Sequence, residues 1–346
     1  MDLKTIYEKV NKKIEKINFQ SLWPSFKAYD FALYDADKVI LNHTIIPKED
    51  VFIGNTAIKY KGKYLAIWHL ENDLDIDVLS AKLIHEMFHA YQNECQDPRF
   101  PNEFEAIVQY KQSVEHLSIK YYEHHQIICL LNDFNAYNFN ALLAARQYRK
   151  THFPYEYDYE TKIEMIEGSA QFVELMVLKQ LNEKLYNQKL ATLKQAVLNP
   201  SLYFPIRVIS YDVGTLLLLM LVKNNMTFNQ SMHTNETVLD LYLDKQIILS
   251  ETIDINQTVR KAFVQEKEKL ETLLADTIKN QQPVIKGSRK VKAFNVYDAR
   301  YINGYIMSQY FVMVDQEGIL YGDYLFDFKN ALTKKIYKIE GDNIWR

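Results

Sequence analysis

The sequence predicts an α+β protein. A small, largely antiparallel sheet leads into one buried helix, a mainly helical stretch follows, and a small β module closes the chain. Three observations carry this. Between Phe26 and Leu70 the apolar residues come in short, strand-like runs. From Asp75 to Asn280 the apolar spacing becomes helical. After Gln282-Pro283 strand-like alternation returns.

The elements follow in chain order. Leu3, Ile6, Val10, Ile14 and Ile17 mark a surface helix over residues 3–18. Phe31–Tyr34 and Lys38–Leu41 read as strands, and Asn55–Tyr60 and Tyr64–Leu70 flank a hairpin turn at Lys61-Gly62-Lys63. Asp75 or Asp77 caps the next helix, which runs to about Glu94. Its apolar residues (Val78, Leu79, Ala81, Leu83, Ile84, Met87, Phe88, Ala90) almost encircle the axis, so it is expected to be buried on most sides.

Residues 102–150 are helical in character, Tyr155–Tyr159 reads as a link, and a strongly apolar helix follows over about 160–182. Further helices are expected at 184–197, 207–224 and 257–280, with breaks at Asn199-Pro200 and Phe204-Pro205. In the last part, 305–314 reads as one alternating run, Asp315–Gly318 as a turn and Ile319–Tyr321 as the start of a return strand. The change of pattern divides the chain into 1–283 and 284–346. Within the first part, 19–95 holds the sheet and buried helix and 96–283 the helical region.

Composition narrows the function classes. The 346 residues are 48% apolar and 25% charged, as in a globular protein. A net charge of −3 gives no reason to expect nucleic acid or an anionic membrane as partner. Two cysteines, Cys95 and Cys129, exclude a disulfide framework and a cysteine-built zinc site, and fit a reduced cytoplasmic setting. No basic stretch followed by an apolar run opens the chain, so no secretory signal is expected. The longest apolar run, Val213–Val222, is too short to span a bilayer.

The chemistry sits in two apolar helices. Residues 83–92 read LIHEMFHAYQ. Burying unpaired polar groups costs several kcal/mol, roughly 2–7 for a neutral one. His85 and His89, four apart, lie one turn above the other and can offer two imidazole nitrogens to one ion. Neutral imidazoles at that spacing suit Zn2+, and Glu86 beside them can take a proton from water activated there. A catalytic zinc usually has three protein ligands. The candidates for the third are the remaining histidines (His43, His69, His116, His124, His125, His152, His233) and buried acids.

Among the acids, the stretch KIEMIEGSAQFVELM, residues 162–176, stands out. Glu167 and Glu174 are seven apart and project about 20° from one another on a helix. They edge the stripe of Ile163, Ile166, Ala170, Val173 and Val177, while Glu164 lies about 60° away and is the weaker candidate. Two carboxylates there need a cation, strong donors or surface salt bridges. Gly168 is unfavourable inside a helix by roughly 1 kcal/mol, which close approach of another helix would explain.

HEMFH followed by EGSAQFVE resembles the gluzincin metallopeptidases, the broad thermolysin and aminopeptidase N group, over about residues 50–225. The resemblance implies a zincin-like core and a zinc-dependent peptidase acting on peptides or proteins. It makes His85, His89 and Glu167 the zinc ligands, Glu86 the general base and Glu174 an acceptor orienting a ligand histidine. Tyr211-Asp212-Val213-Gly214 resembles that branch's Tyr-x-x-Gly helix start, which makes Tyr211 the candidate for stabilising the oxyanion. A tyrosine packing its ring at a helix start is the alternative. Arg207 reads as a surface arginine, or as a group meeting a substrate carboxylate.

Two departures stand beside the likeness. Glu167 follows His89 by 78 positions, far more than in those families, so the insertion must fold back. The Gly-x-Met-Glu-Asn strand motif of the aminopeptidases is absent; strand 64–70 reads YLAIWHL and offers, at most, an edge for an extended peptide. The competing functions are a zinc hydrolase of non-peptide bonds, an inactive zincin-like binding or regulatory protein, and a metal-free helical interaction protein.

Overall fold

Short β-prone runs separated by turn residues build the first layer. In the computed structural model, which describes residues 2–70, 75–243 and 253–339, helix α1 (Leu3–Ile14) precedes five strands. These are β1 (Phe31–Tyr34), β2 (Lys38–Leu41), β3 (Thr44–Pro47), β4 (Thr56–Tyr60) and β5 (Lys63–His69), in the order β3-β2-β1-β5-β4. Three pairings are antiparallel, as expected; the central β1–β5 pair is parallel. Lys61 and Gly62, both with positive φ (47° and 86°), make the tight β4–β5 turn. β3 escaped the pattern reading because its side chains are almost all exposed and show no alternation.

Strand β5 is flanked by β1 and β4, so it presents no free edge. The expectation that residues 64–70 offer an edge to a peptide is thus corrected: the sheet's edges are β3 and β4.

Helix α2 (Ile76–Glu94) starts at Asp75, whose carboxylate accepts from the N–H groups of Asp77 and Val78. It packs on β5 and is buried on most of its circumference. Then come α3 (Glu103–Gln109), α4 (Val114–Asn132), α5 (Ala136–His152) and α6 (Pro154–Leu181). The remaining helices are α7 (Glu183–Val197), α8 (Ile206–Lys223) and α9 (Gln257–Asn280). Asn102, Ser113, Asn135, Asn182 and Asn256 cap α3, α4, α5, α7 and α9.

The link expected at Tyr155–Tyr159 is instead the first turn of α6. Pro154 takes the first helical position, where its missing N–H costs nothing, and Tyr157 and Tyr159 are buried. The polar look of that stretch misled because Glu156 accepts from the Lys111 N–H and Tyr159 donates to Glu103 inside the protein, while Asp158 faces solvent.

Helices α6 and α8 approach each other closely. A Cβ added to Gly168 would lie 2.6 Å from the Cα of Gly214, and one added to Gly214 would lie 2.1 Å from the carbonyl oxygen of Glu164. The mid-helix glycine therefore does mark a close approach, with the glycine of Tyr211-Asp212-Val213-Gly214 as its counterpart.

The second sheet is antiparallel: β6 (Ile285–Phe294), β7 (Arg300–Ile302), β8 (Tyr305–Ser308), β9 (Phe311–Val314), β10 (Gly318–Tyr321), β11 (Tyr324–Asp327) and β12 (Leu332–Lys338). Its order is β10-β9-β6-β12-β11-β8-β7. Residues 305–314 are two strands rather than one, broken at Tyr310, whose φ is 67°. Phe104 and Ile107 of α3 join one side of its core, and Leu270 and Leu274 of α9 the other. Among the described residues no helix is long and apolar enough to cross a membrane.

Candidate metal centre

Helices α2 and α6 pack side by side. The buried face of α2 carries His85, Glu86 and His89, and that of α6 carries Glu167 and Glu174. The two imidazole Nε2 atoms lie 3.1 Å apart. Glu167 Oε2 is 3.0 Å from His89 Nε2 and 3.9 Å from His85 Nε2. Atoms bound at about 2.0–2.1 Å to one tetrahedral zinc lie roughly 3.3 Å from each other. Two imidazole nitrogens and a carboxylate oxygen with edges of 3.0, 3.1 and 3.9 Å therefore fit a borderline divalent cation.

The surroundings hold this trio in place. His89 Nδ1 donates to Gln92 Oε1 at 2.7 Å, which directs Nε2 toward Glu167. The Gln92 amide in turn donates to the Ile166 carbonyl at 2.9 Å and to Ser169 Oγ at 3.2 Å, tying α2 to α6. Gln92 was not singled out from the sequence. The signal was there: an amide one turn after His89 on a helix expected to be buried. His85 Nδ1 lies 3.2 Å from Glu174 Oε2, close but not aligned as a hydrogen bond.

The ionisation states follow from burial and neighbours. Burial pushes the Glu86 carboxyl above its ordinary range; His85 and His89 pull it down, while Glu167 and Glu174 push it further up. Burial works against a charged His89, yet the Glu167 carboxylate outweighs it and lifts the imidazole to about 9. Glu167 itself is held far below the usual carboxylate range, against its burial, by His89 and Arg207.

Tyr211, in α8, lies on the side of Arg207 and Glu167. Burial and the Glu167 charge raise the pKa of its hydroxyl well above the ordinary range, with Arg207 pulling the other way. The Arg207 guanidinium stands 5.6 Å from the Tyr211 ring, and the ring of Tyr297 meets it edge-on at 5.9 Å. Tyr297 comes from the β6–β7 connection, so the C-terminal sheet supplies an aromatic side chain to the rim of the centre. Nothing in its local sequence pointed there.

Arg207 requires a correction. It is neither a surface residue nor free for a substrate carboxylate: it is 9% exposed, with NH2 2.7 Å from Glu167 Oε1 and NH1 paired with Glu103. Glu103 and Tyr159 also line a cleft of about 310 Å³, walled on its other side by α9 and the second sheet through Phe263, Phe294 and Arg300. Arg207 is in its wall, but none of His85, Glu86, His89 or Glu167 is.

Apart from His233, which is exposed, the other candidate ligands have partners elsewhere. Glu164 is gripped by Arg146 at 2.8 and 3.0 Å. His116 pairs with Glu160 at 2.7 Å, and His124 Nδ1 lies against the Val197 carbonyl and the Tyr203 hydroxyl. His43 pairs with Glu8, His152 contacts the Tyr148 carbonyl, His69 stacks on Tyr34 and His125 lies edge-on to Tyr121.

No family model matches this chain, and no curated protein or solved structure matches it.

Proposed function

We propose that this chain is a zinc-dependent hydrolase, a gluzincin-type peptidase built on a zincin-like core. The observation that carries the reading is the convergence of His85, His89 and Glu167, with Glu167 brought back from 78 positions beyond His89 by the fold-back of α3 to α5. The donor chemistry suits Zn2+, held by the two Nε2 atoms and Glu167 Oε2. Such an ion supplies Lewis-acid polarisation of a carbonyl and acidification of water.

The chain's own groups do the rest. Glu86, whose carboxyl burial raises above its ordinary range, accepts a proton from the attacking water and returns it to the leaving amine. Tyr211, kept protonated by burial and by Glu167, donates to the oxyanion. Gln92 and Glu174 hold the imidazoles in orientation. The substrate class is a peptide or protein, and Tyr297 lines the approach beside Tyr211.

The test combines elemental analysis with cleavage of a mixed peptide library, with and without a chelator. Zinc at one per chain and chelator-sensitive cleavage are expected. Glu86→Gln should keep the zinc and lose roughly 10²–10⁴-fold in turnover. Absence of bound metal, or full turnover in that variant, defeats the proposal. Zinc uptake without peptide cleavage would redirect it to a non-peptide hydrolase or a zincin-like binding protein.

A further inference from the structure

Resting on the reading that His85, His89 and Glu167 hold a divalent metal, we infer that Arg207 is a positioning residue that restricts Glu167 to a single ligating oxygen. The two oxygens of Glu167 face different partners. Oε1 lies 2.7 Å from Arg207 NH2, while Oε2 lies 3.0 and 3.9 Å from the two imidazoles.

Arg207 is poorly placed to let go. Its NH1 pairs with Glu103, whose second oxygen accepts from the Tyr159 hydroxyl at 3.0 Å. The Tyr211 ring lies 5.6 Å from the guanidinium. The arginine is 9% exposed, so solvent screens these charges little. The Gly168–Gly214 approach sets the spacing between α6 and α8 backbone to backbone, and with it the spacing between Glu167 and Arg207.

The consequence concerns coordination. Carboxylates bind metals through one oxygen or two. A catalytic zinc site needs three protein ligands and one position left for substrate or water. A Glu167 that chelated through both oxygens would take that position. A charged, nearly inextensible guanidinium on Oε1 prevents it, and the charge-assisted bond is roughly twice as strong as a neutral one.

X-ray absorption on the zinc-loaded protein, and the visible spectrum of the cobalt-loaded protein, read the outcome without any substrate. The wild type should show two imidazoles and one carboxylate oxygen from the chain, with the intense bands of four-coordinate cobalt. Arg207→Met should add one oxygen neighbour and lose band intensity as the ion becomes five-coordinate. If that variant fails to fold, Arg207→Gln decides, because a neutral amide cannot hold a carboxylate oxygen against a divalent cation. A bidentate Glu167 in the wild type overturns the inference, as do wild-type spectra in a folded Arg207→Met or Arg207→Gln. Failure of the wild type to bind zinc or cobalt would instead defeat the metal reading itself.

Discussion

Helix α6 carries five buried glutamates, and its two ends use four of them differently. At the N-terminal end Glu160 takes hydrogen bonds from His116, Lys120 and Arg149, each at 2.7 Å. One turn later Glu164 is chelated by Arg146, and Glu123 of α4 lies 3.2 Å from Arg149 and 3.4 Å from Arg146. Three carboxylates thus face two arginines and a lysine, all within 1% of full burial. At the other end Glu167 and Glu174 lean on imidazoles, with Arg207 shared and Lys189 at 3.7 Å. The groups acting most strongly on nearby Glu86 are two histidines and two further carboxylates.

The difference is in whether the countercharge can be exchanged. Arg146 and Arg149 are covalently part of the chain and keep their charge, and with Lys120 they form a network that is fixed structure. Imidazoles carry charge only with a proton, and a metal ion competes for the same lone pairs. Glu160 also meets an imidazole, His116, and Glu167 also meets a fixed charge, Arg207, so what sets the second end apart is that two imidazoles and a carboxylate converge on one point.

Breaking one member at each end tests that distinction most strongly. Glu160→Gln leaves buried Lys120 and Arg149 short of a partner and should cost about 3–5 kcal/mol by urea unfolding. Glu174→Gln, which neutralises a carboxylate lying 3.2 Å from His85 Nδ1 without an aligned hydrogen bond, should cost at most about 1 kcal/mol. Equal costs would erase the contrast. Gly214→Ala probes the joint between α6 and α8. Its methyl has no room beside the Glu164 carbonyl, so a loss of about 1–3 kcal/mol is expected. Metal uptake should fall with it, because α6 carries Glu167. A fully stable, metal-binding variant would show that the crossing is slack.

These two ends were unequally legible in the sequence. The imidazole end is written in local patterns: His85 and His89 at helical spacing, Glu167 and Glu174 at a heptad, and Gly168 where bulk is excluded. The expected helices at 77–94, 184–197, 207–224 and 257–280 appear within one or two residues for the same reason. The charged network was invisible because Lys120, Arg146 and Arg149 look like any solvated helix cations until α4, α5 and α6 close on them. Arg207 was misjudged on the same ground. Pairings set by distant chain segments, such as parallel β1–β5 or Tyr297 against Tyr211, leave no local trace.

Gln92 offers a finer probe of the imidazole end. Gln92→Ala removes the acceptor of His89 Nδ1 and two bonds to α6, and should weaken zinc retention about 10–100-fold in a chelator competition. Glu164→Gln, if folded, should leave zinc affinity unchanged, since Glu164 is committed to Arg146. Weakened zinc binding there would mean that the two ends are coupled along α6.

Asp212 gives the smallest effect and a third kind of environment, a carboxylate whose hydrogen-bond partner is a neutral amide. Its Oδ1 accepts from Gln171 at 2.7 Å. Burial raises its pKa to about 6; Gln171 and Lys189 pull the other way and Glu174 reinforces the rise. The folded protein therefore prefers the protonated acid. That preference stabilises the fold fully below about pH 4 and is lost as pH rises through about 6. Asp212→Asn keeps the acceptor oxygen and removes the titration. Relative to wild type it should gain about 1 kcal/mol between pH 4 and 7, after allowance for the group's partial exposure. At this chain length that is a gain of about 2 °C in melting temperature. A difference in melting temperature that stays flat across this range would show that the Asp212 carboxyl is not strained by its burial, and that neutral partners suffice at the rim where charged ones are needed in the core.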